Sequence, residues 1–364
     1  METLTETLTD REAEILTLIC DGLSNKEIAE RLYLTHGTVK WYASQIYSKI
    51  GVSNRAQAIA YVQKLGLLDR DQGPPQTQQA PSRQTLEQRV SFTTSFDGTR
   101  IAYAVAGEGP PFVKTASYMG HLEYDWENPV FRHWLEAFTR DHTLIRYDER
   151  GTGLSDWDVE DLSFEAWVRD LETVVETTGI ERFPLFAQSQ GGTVAIAYAA
   201  RHPEKVSHLI LFGAYARGWL QRDLTPEERE EERTLISLMK VGWGRDNPAF
   251  RQFFATSLMP DSQPEMISEL EQVMRISTTA ENAVRLEKTM HNTNVEDLAK
   301  QVQVPTLVIH PREDRCVPFE EGRRLASLIP DAEFLALDSQ NHLLRADEPA
   351  WPKFVEAIYR FISK

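Results

Sequence analysis

Two different hydrophobic periods divide this chain. In its first stretch apolar residues recur at helical spacing: Ile15, Leu16, Leu18 and Ile19, then Ile28, Ala29 and Leu32, then Val39, Ala43, Ile46 and Ile50, then Ala56, Ile59, Ala60 and Val62. Polar starts and glycine stops punctuate the pattern. Thr9 with Glu12, and Ser24 with Glu27, have capping-box spacing; Thr35 and Asn54 are placed to cap two further helices, and Gly22 and Gly51 can close the first and third. This predicts four short helices joined by tight turns, the third over residues 37–50.

From residue 90 onward the period changes. Short apolar runs at residues 90–94, 100–105, 112–114, 143–147, 183–187, 206–212, 305–310 and 333–337 read as strands, the first two flanking Asp97-Gly98, a hairpin signal. Amphipathic stretches such as 164–175 and 319–328 lie between them. Alternation of buried strands with helices predicts a mainly parallel sheet covered by helices. Residues 220–300 lack such runs and predict a helical insertion, a cap over the site. Between the two patterns, residues 71–84 (DQGPPQTQQAPSRQ) have no apolar period and suit a semi-rigid linker. The expected domains are residues 1–68, a linker over 69–87, and 88–364 with the cap at about 220–300.

Composition adds limits. A chain of 364 residues exceeds one typical core. No apolar run is long enough to cross a membrane, and the start lacks the basic and apolar segments of a secretory signal. With only Cys20 and Cys316, a disulfide framework is not expected, and the chain reads as cytoplasmic. The net charge of −16 argues against nucleic acid, yet its distribution does not: within residues 31–68, Arg31, Lys40, Lys49, Arg55 and Lys64 meet no acid at all. Such a stretch inside an acidic chain is either a footprint for phosphate or a solvated face.

The second and third predicted helices have the order of a helix-turn-helix, whose second helix enters the major groove. On that helix Thr38, Lys40, Trp41, Ser44, Gln45 and Lys49 are placed to face outward. Lys40 and Lys49 suit phosphates, Gln45 an adenine edge, and Thr38 a phosphate or thymine methyl. The segment resembles the LuxR/GerE-type helix-turn-helix family in Leu8-Thr9-Asp10-Arg11-Glu12, Gly22 to Ala29, Thr38-Val39-Lys40, Lys49-Ile50-Gly51-Val52 and Asn54-Arg55. Trp41-Tyr42 and Ser44 depart from the family pattern. The resemblance implies binding to double-stranded DNA, usually as a homodimer.

In the second region the run 183–187 leads into Ala187-Gln188-Ser189-Gln190-Gly191-Gly192 and then a helical stretch: strand, Ser in a tight turn, helix. Asp314 follows the strand at 305–310, and His342 is the only His after it, giving the chain order Ser, acid, His. In this arrangement Ser189 attacks an acyl carbon, His342 takes its proton and Asp314 holds the imidazole; the Gln190 N–H, with the loop around Ser117-Tyr118, supplies the oxyanion donors. Glu313 is a rival for the acid. This region resembles the α/β-hydrolase superfamily, with Tyr147 to Ser155 and Arg201 to Val206 as further matching segments, and with Ala116-Ser117 and Pro311 departing from the pattern.

The expected fold class is thus an all-α four-helix LuxR-type module followed by an α/β-hydrolase fold with a helical cap. Tyr118, Tyr124, Trp126 and Trp134 line a pocket or pack in the core, the latter being the plainer reading, and the histidines show no metal-ligand spacing. No metal, cofactor or membrane is expected. A DNA module joined to a Ser-Asp-His set reads first as a regulator sensing a small ester- or lactone-like ligand with slow hydrolysis. The alternative is an active esterase or lactonase carrying a helix-turn-helix module.

Overall fold

The computed structural model describes residues 8, 10–32, 36–52, 54–64, 87–117, 119–243, 245 and 249–364. They form two compact units, one within residues 1–85 and one within 86–364.

The first unit contains α1 (Asp10–Cys20), α2 (Asn25–Leu32), α3 (His36–Lys49) and α4 (Arg55–Lys64). The apolar period becomes one core, in which Ile15, Ile19, Ile28, Val39, Ile46 and Ala58 are fully buried. Ser24 and Glu27 form the reciprocal cap of α2, at 2.7 and 3.3 Å, and Asn54 accepts from the Gln57 N–H at the start of α4. Thr9 and Thr35, the other expected caps, lie outside the described residues. The cationic stretch is less available than its sequence suggests. Arg55 donates to the carbonyls of Ile19, in the last turn of α1, and of Leu23, in the turn that follows, and Lys49 is held 2.7 Å from Glu12.

The second unit is built on an eight-stranded sheet: β1 (Gln88–Thr94), β2 (Arg100–Ala106), β3 (Pro111–Lys114), β4 (Thr143–Tyr147), β5 (Phe183–Gln188), β6 (Val206–Phe212), β7 (Thr306–Pro311) and β8 (Glu333–Leu337), in the order β1-β2-β4-β3-β5-β6-β7-β8. β1, β2 and β4 pair antiparallel; from β4 through β3 to β8 every pairing is parallel. All eight strands coincide with the apolar runs to within two residues.

The helices are α5 (Leu122–Glu127), α6 (Arg132–Thr139), α7 (Phe164–Thr178), α8 (Gly191–Arg201), α9 (Pro226–Gly242), α10 (Ala249–Leu258), α11 (Pro264–Ser277), α12 (Ala280–Asn292), α13 (Glu296–Ala299), α14 (Phe319–Leu328) and α15 (Ala350–Ile362). Strand alternation decides which side each residue serves. Phe186 and Phe212 point to a shared aromatic core with Trp134 on α6 and Phe354 on α15; Phe183, on the other side of β5, meets Tyr198 of α8. Helices α9 to α12 form the insertion between β6 and β7. It is tied down by the Thr278 hydroxyl on the Gly151 carbonyl (2.6 Å) and by the His342 N–H on the Leu258 carbonyl (2.9 Å).

A buried ion pair anchors the β4 loop. Arg150, 0% exposed, grips Asp170 of α7 through two 2.7 Å bonds and Asp97 of the β1–β2 turn through a third. Both charges are desolvated, so removing one partner leaves the other uncompensated. Arg150→Ala is expected to destabilise this unit by about 3–5 kcal/mol, read from its urea transition; a loss below ~1 kcal/mol would reject a structural anchor.

Candidate functional site

The strand–turn–helix at Ser189 is confined by contacts that exclude larger side chains. Ser189 adopts φ 53, a left-handed conformation that a β-carbon disfavours, and its N–H is held by the Phe212 carbonyl at 3.0 Å. A β-carbon at Gly191 would lie 2.4 Å from Thr115 Oγ1 and 2.9 Å from the Ala116 carbonyl oxygen; one at Gly192 would lie 2.5 Å from the Ala214 β-carbon. This is why small residues flank the serine, and it brings the loop after β3 against the start of α8.

Two strands away, Asp314 leaves β7 and His342 leaves β8. Their side chains are 0% and 2% exposed, and the His342 Nδ1–H donates to Asp314 Oδ2 at 2.7 Å. The backbone N–H groups of Cys316 and Val317 donate to the other carboxylate oxygen, at 2.8 and 2.9 Å. Burial pushes the Asp314 carboxyl up, but the adjacent His342 and these donors outweigh it and hold it below the usual carboxylate range. Glu313, the rival acid, is exposed. His342 Nε2 is buried and has no hydrogen-bond partner among the described residues. The ring lies against Gly213, where a β-carbon would sit 2.9 Å from its Cε1.

Ser189, Gln190 and His342 all line one cavity of about 790 Å³. Apolar groups dominate much of its wall, among them Trp134, Leu135, Phe254 and Met290, and cap residues of α9, α10 and α12 contribute. Trp134 belongs both to this wall and to the aromatic core, whereas Tyr124 and Trp126 are buried side chains that do not line it. Among the described residues nothing accepts a hydrogen bond from the Gln190 backbone N–H. Tyr118 lies outside the described residues.

Comparison with known proteins agrees with this geometry. The family described as bacterial regulatory proteins, luxR family, matches residues 6–62, and the alpha/beta hydrolase fold family matches residues 119–349. The chain belongs to the α/β-hydrolase fold family. It carries in addition a LuxR-type helix-turn-helix domain at its N-terminal end. It is 25% identical over 259 residues to a pyrrolizixenacetamide deacetylase of Xenorhabdus hominickii, covering 69% of this chain and 90% of that protein. It is 29% identical over 244 residues to a 2-hydroxy-6-oxononadienedioate/2-hydroxy-6-oxononatrienedioate hydrolase of Paraburkholderia phymatum, covering 65% and 82%. An esterase structure from Exiguobacterium antarcticum superposes with a TM-score of 0.63 at 23% identity, covering 75% of this chain and 99% of that one. Among the described residues no helix is long and apolar enough to cross a membrane.

The hydrolase-fold unit also holds site residues that sequence reading passed over. His310, at the end of β7, is fully buried, bonds the Val317 carbonyl at 3.0 Å and stands 3.6 Å from Asp314 Oδ2, a second imidazole behind the acid. Glu149, within the segment Tyr147 to Ser155, is buried and accepts from the Gln190 side chain at 3.2 Å; its other oxygen has no partner among the described residues. Lys114 and Asp148 line the cavity floor. A charge closing an apolar run, as at Lys114, was the available signal.

In the helix-turn-helix unit Lys40 and Lys49 of α3 are exposed and Gln45 is half-buried. The side chains of Thr38, Trp41 and Ser44 lie outside the described residues.

Burial raises two neighbouring carboxyls after β4: Asp148 to about 7 and Glu149 to about 8. Between about 4.3 and 8 the folded chain keeps a Glu149 proton that the unfolded chain has released. Fewer protons bound unfolded than folded means stability falls as pH rises, by up to ~1.4 kcal/mol per pH unit for one group. Asp148, raised to about 7, and Lys114, lowered by burial to about 8 and opposite in sign, titrate over the same interval, so the Glu149 share between pH 7 and 8 is read as the difference between the unmutated protein and Glu149→Gln. Glu149→Gln is expected to flatten that fall in urea titrations at pH 7 and 8; equal slopes in both proteins would mean Glu149 is already ionised when folded.

Proposed function

We propose that this protein is a cytoplasmic DNA-binding transcription regulator whose hydrolase-fold domain takes up a small ester- or lactone-like ligand and cleaves it slowly through Ser189. The observation that carries the reading is the joining, in one chain, of a LuxR-type helix-turn-helix with a cavity that Ser189, Gln190 and His342 line together. In the proposed chemistry the Ser189 oxygen attacks the ligand's acyl carbon while His342 Nε2 accepts its proton. Asp314 fixes the imidazole with Nε2 facing the serine and stabilises its charged form. The Gln190 N–H, with that of Tyr118, stabilises the oxyanion. The proton then passes to the departing alcohol oxygen, and water releases the acyl group by the same steps. Names of relatives that speak of deacetylation and hydrolysis support this reaction class.

On the DNA side, Thr38, Lys40, Trp41, Ser44, Gln45 and Lys49 of α3 are proposed to face double-stranded DNA in a homodimer. Ligand occupancy regulates only if the ligand binds the DNA-competent and DNA-incompetent states with different affinity. A second reading has its own support: each unit has a core of its own. In that reading the domain is a serine hydrolase working independently of the DNA module.

A fluorophosphonate probe tests both. Labelling of the folded protein is expected, abolished by Ser189→Ala and slowed by ~10⁴-fold in Asp314→Asn, which imposes the wrong tautomer. Absence of labelling would sink the nucleophile assignment. The labelled protein is itself a ligand-filled state: a change of ~5-fold or more in its affinity for duplex DNA supports the sensor, and an unchanged affinity supports the independent hydrolase. On the DNA side, Lys40→Ala is expected to weaken binding alike on all sequences and to reduce the salt slope by about one, measured by fluorescence anisotropy across salt concentrations.

A further inference from the structure

The cavity floor holds a cation that the chemistry above does not use. β3 is a short buried strand between β4 and β5, with Phe112 and Val113 in the core and Lys114 at its end. Lys114 is in register with Arg146 on one side and with Phe186 on the other, three residues before Ser189. The two cations are treated very differently. Arg146 is matched by Asp125 at 3.2 Å, by the Gln88 side-chain oxygen at 2.8 Å and by the Leu122 carbonyl. The Lys114 ammonium donates only to the Thr115 carbonyl at 3.2 Å and the Ser117 hydroxyl at 3.3 Å; among the described residues no carboxylate forms an ion pair with it. Its third proton is left for the cavity, which Lys114 and Ser189 both line.

An ammonium withdrawn from water without a matching anion is costly. Here burial drives Lys114 down to about 8, with Asp125 and Asp148 pulling it back and Arg146 pushing it further down. Nothing in the fold requires this arrangement: the neighbouring strand residues are Phe112 and Val113, and an apolar side chain would end the strand equally well. The loop that follows is pressed against the start of α8 at Gly191, so Lys114 is fixed relative to the nucleophile rather than hanging free.

We propose that Lys114 is a specificity residue that binds a carboxylate carried by the ligand, so that this site takes the monoester of a dicarboxylic acid, or a lactone bearing a carboxylate, in preference to a neutral ester or lactone. A carboxylate fits better than a phosphate dianion. The Lys114 ammonium can balance one negative charge, and Asp125 beside it, already paired with Arg146, would repel a second. The apolar wall around Trp134, Leu135 and Phe254 then receives the rest of the molecule. This inference rests on the ligand reading of the cavity given above, not on its coupling to DNA.

The test uses the full chain and three probe pairs: the monophenyl esters of succinic, glutaric and adipic acids, each against its terminal carboxamide, equal in length and differing by one charge. Binding is measured by titration calorimetry on Ser189→Ala, so no turnover is needed. At least one acid is expected to bind tenfold or more tightly than its carboxamide, a ratio typical of one desolvated charged hydrogen bond. Lys114→Met is expected to collapse that ratio toward one, and Lys114→Arg to keep most of it. If no acid is preferred in the protein that retains Lys114, the proposal is overturned whatever the variants do. If the preference persists in Lys114→Met, or in Lys114→Gln should the Met variant not fold, another cation carries it and the proposal also fails. Equal loss on acid and carboxamide in Lys114→Met would instead place the ammonium at the ester carbonyl and overturn the carboxylate assignment. Turnover of the phenyl esters by the unmutated protein is read separately, by phenol release: its absence counts against Ser189 as nucleophile and leaves the binding comparison standing.

Discussion

The site depends on one strained residue. Ser189 is held at φ 53 and half-buried, between the last hydrogen bond of β5 to β6 and the first turn of α8. The other described non-glycine residue at positive φ, Asp331, sits in an exposed turn, where a short polar side chain tolerates that conformation. Ser189 has no such freedom. It is kept there because its neighbours are already fixed by the sheet, and the glycines at 191, 192 and 213 make room that no β-carbon could share. Gly213 links this strain to the acid side: the space it leaves is filled by the His342 ring, which in turn holds Asp314. A tight turn on β5 and a bare backbone after β6 therefore decide where the imidazole can lie.

Around this frame carboxyl groups of similar chemistry are pushed apart by their surroundings. Asp314 is buried but collects two backbone N–H groups and an imidazole, so its charged form is favoured. Glu149 is buried with one side-chain amide, and Asp148 with two backbone N–H groups but with Asp125 close by; in both, desolvation wins. Between Asp314 and Asp148 the contrast is set by the neighbouring group, an imidazole in one case and Asp125 in the other, and at Glu149 by the scarcity of donors, not by depth. A neutral Glu149 beside Gln190 also leaves the region of the nucleophile without an added negative charge, which matters where negative charge develops on a ligand oxygen.

How much of this was legible in the chain follows from range. The central strands β4 to β7 were visible because they are buried on both faces and read as apolar runs, and the α3 face was visible because Val39, Ala43, Ile46 and Ile50 repeat at helical spacing. That Asp314 would stand beside His342, and that Ser189 and His342 would share a cavity, could be anticipated from chain order and strand ends. What escaped was decided by partners distant in sequence. Nothing near Arg55 announces that its guanidinium reaches the Ile19 carbonyl of α1, nor that Glu12 takes Lys49 across 37 positions, so a charge count overstated the phosphate-binding face. His310 and Glu149 look like ordinary strand-end and loop residues until β7 and β4 bring them to Asp314 and Gln190.

Those internal commitments bear on how the proposed regulator would hold DNA. With Arg55 and Lys49 engaged inside the unit, the exposed cations described there are few, Lys26, Arg31 and Lys40 among them. The remainder of the chain carries nearly all of the net charge of −16 and repels a polyanion. One such module gains only a few released counterions, and so binds weakly at physiological salt. Two modules joined in a homodimer turn the second contact into an intramolecular one and multiply affinity without any new cation. In the proposed regulator, control over DNA would lie in the pairing of two modules rather than in the strength of either. A ligand in the hydrolase-fold domain would then regulate most economically by changing how readily two chains associate.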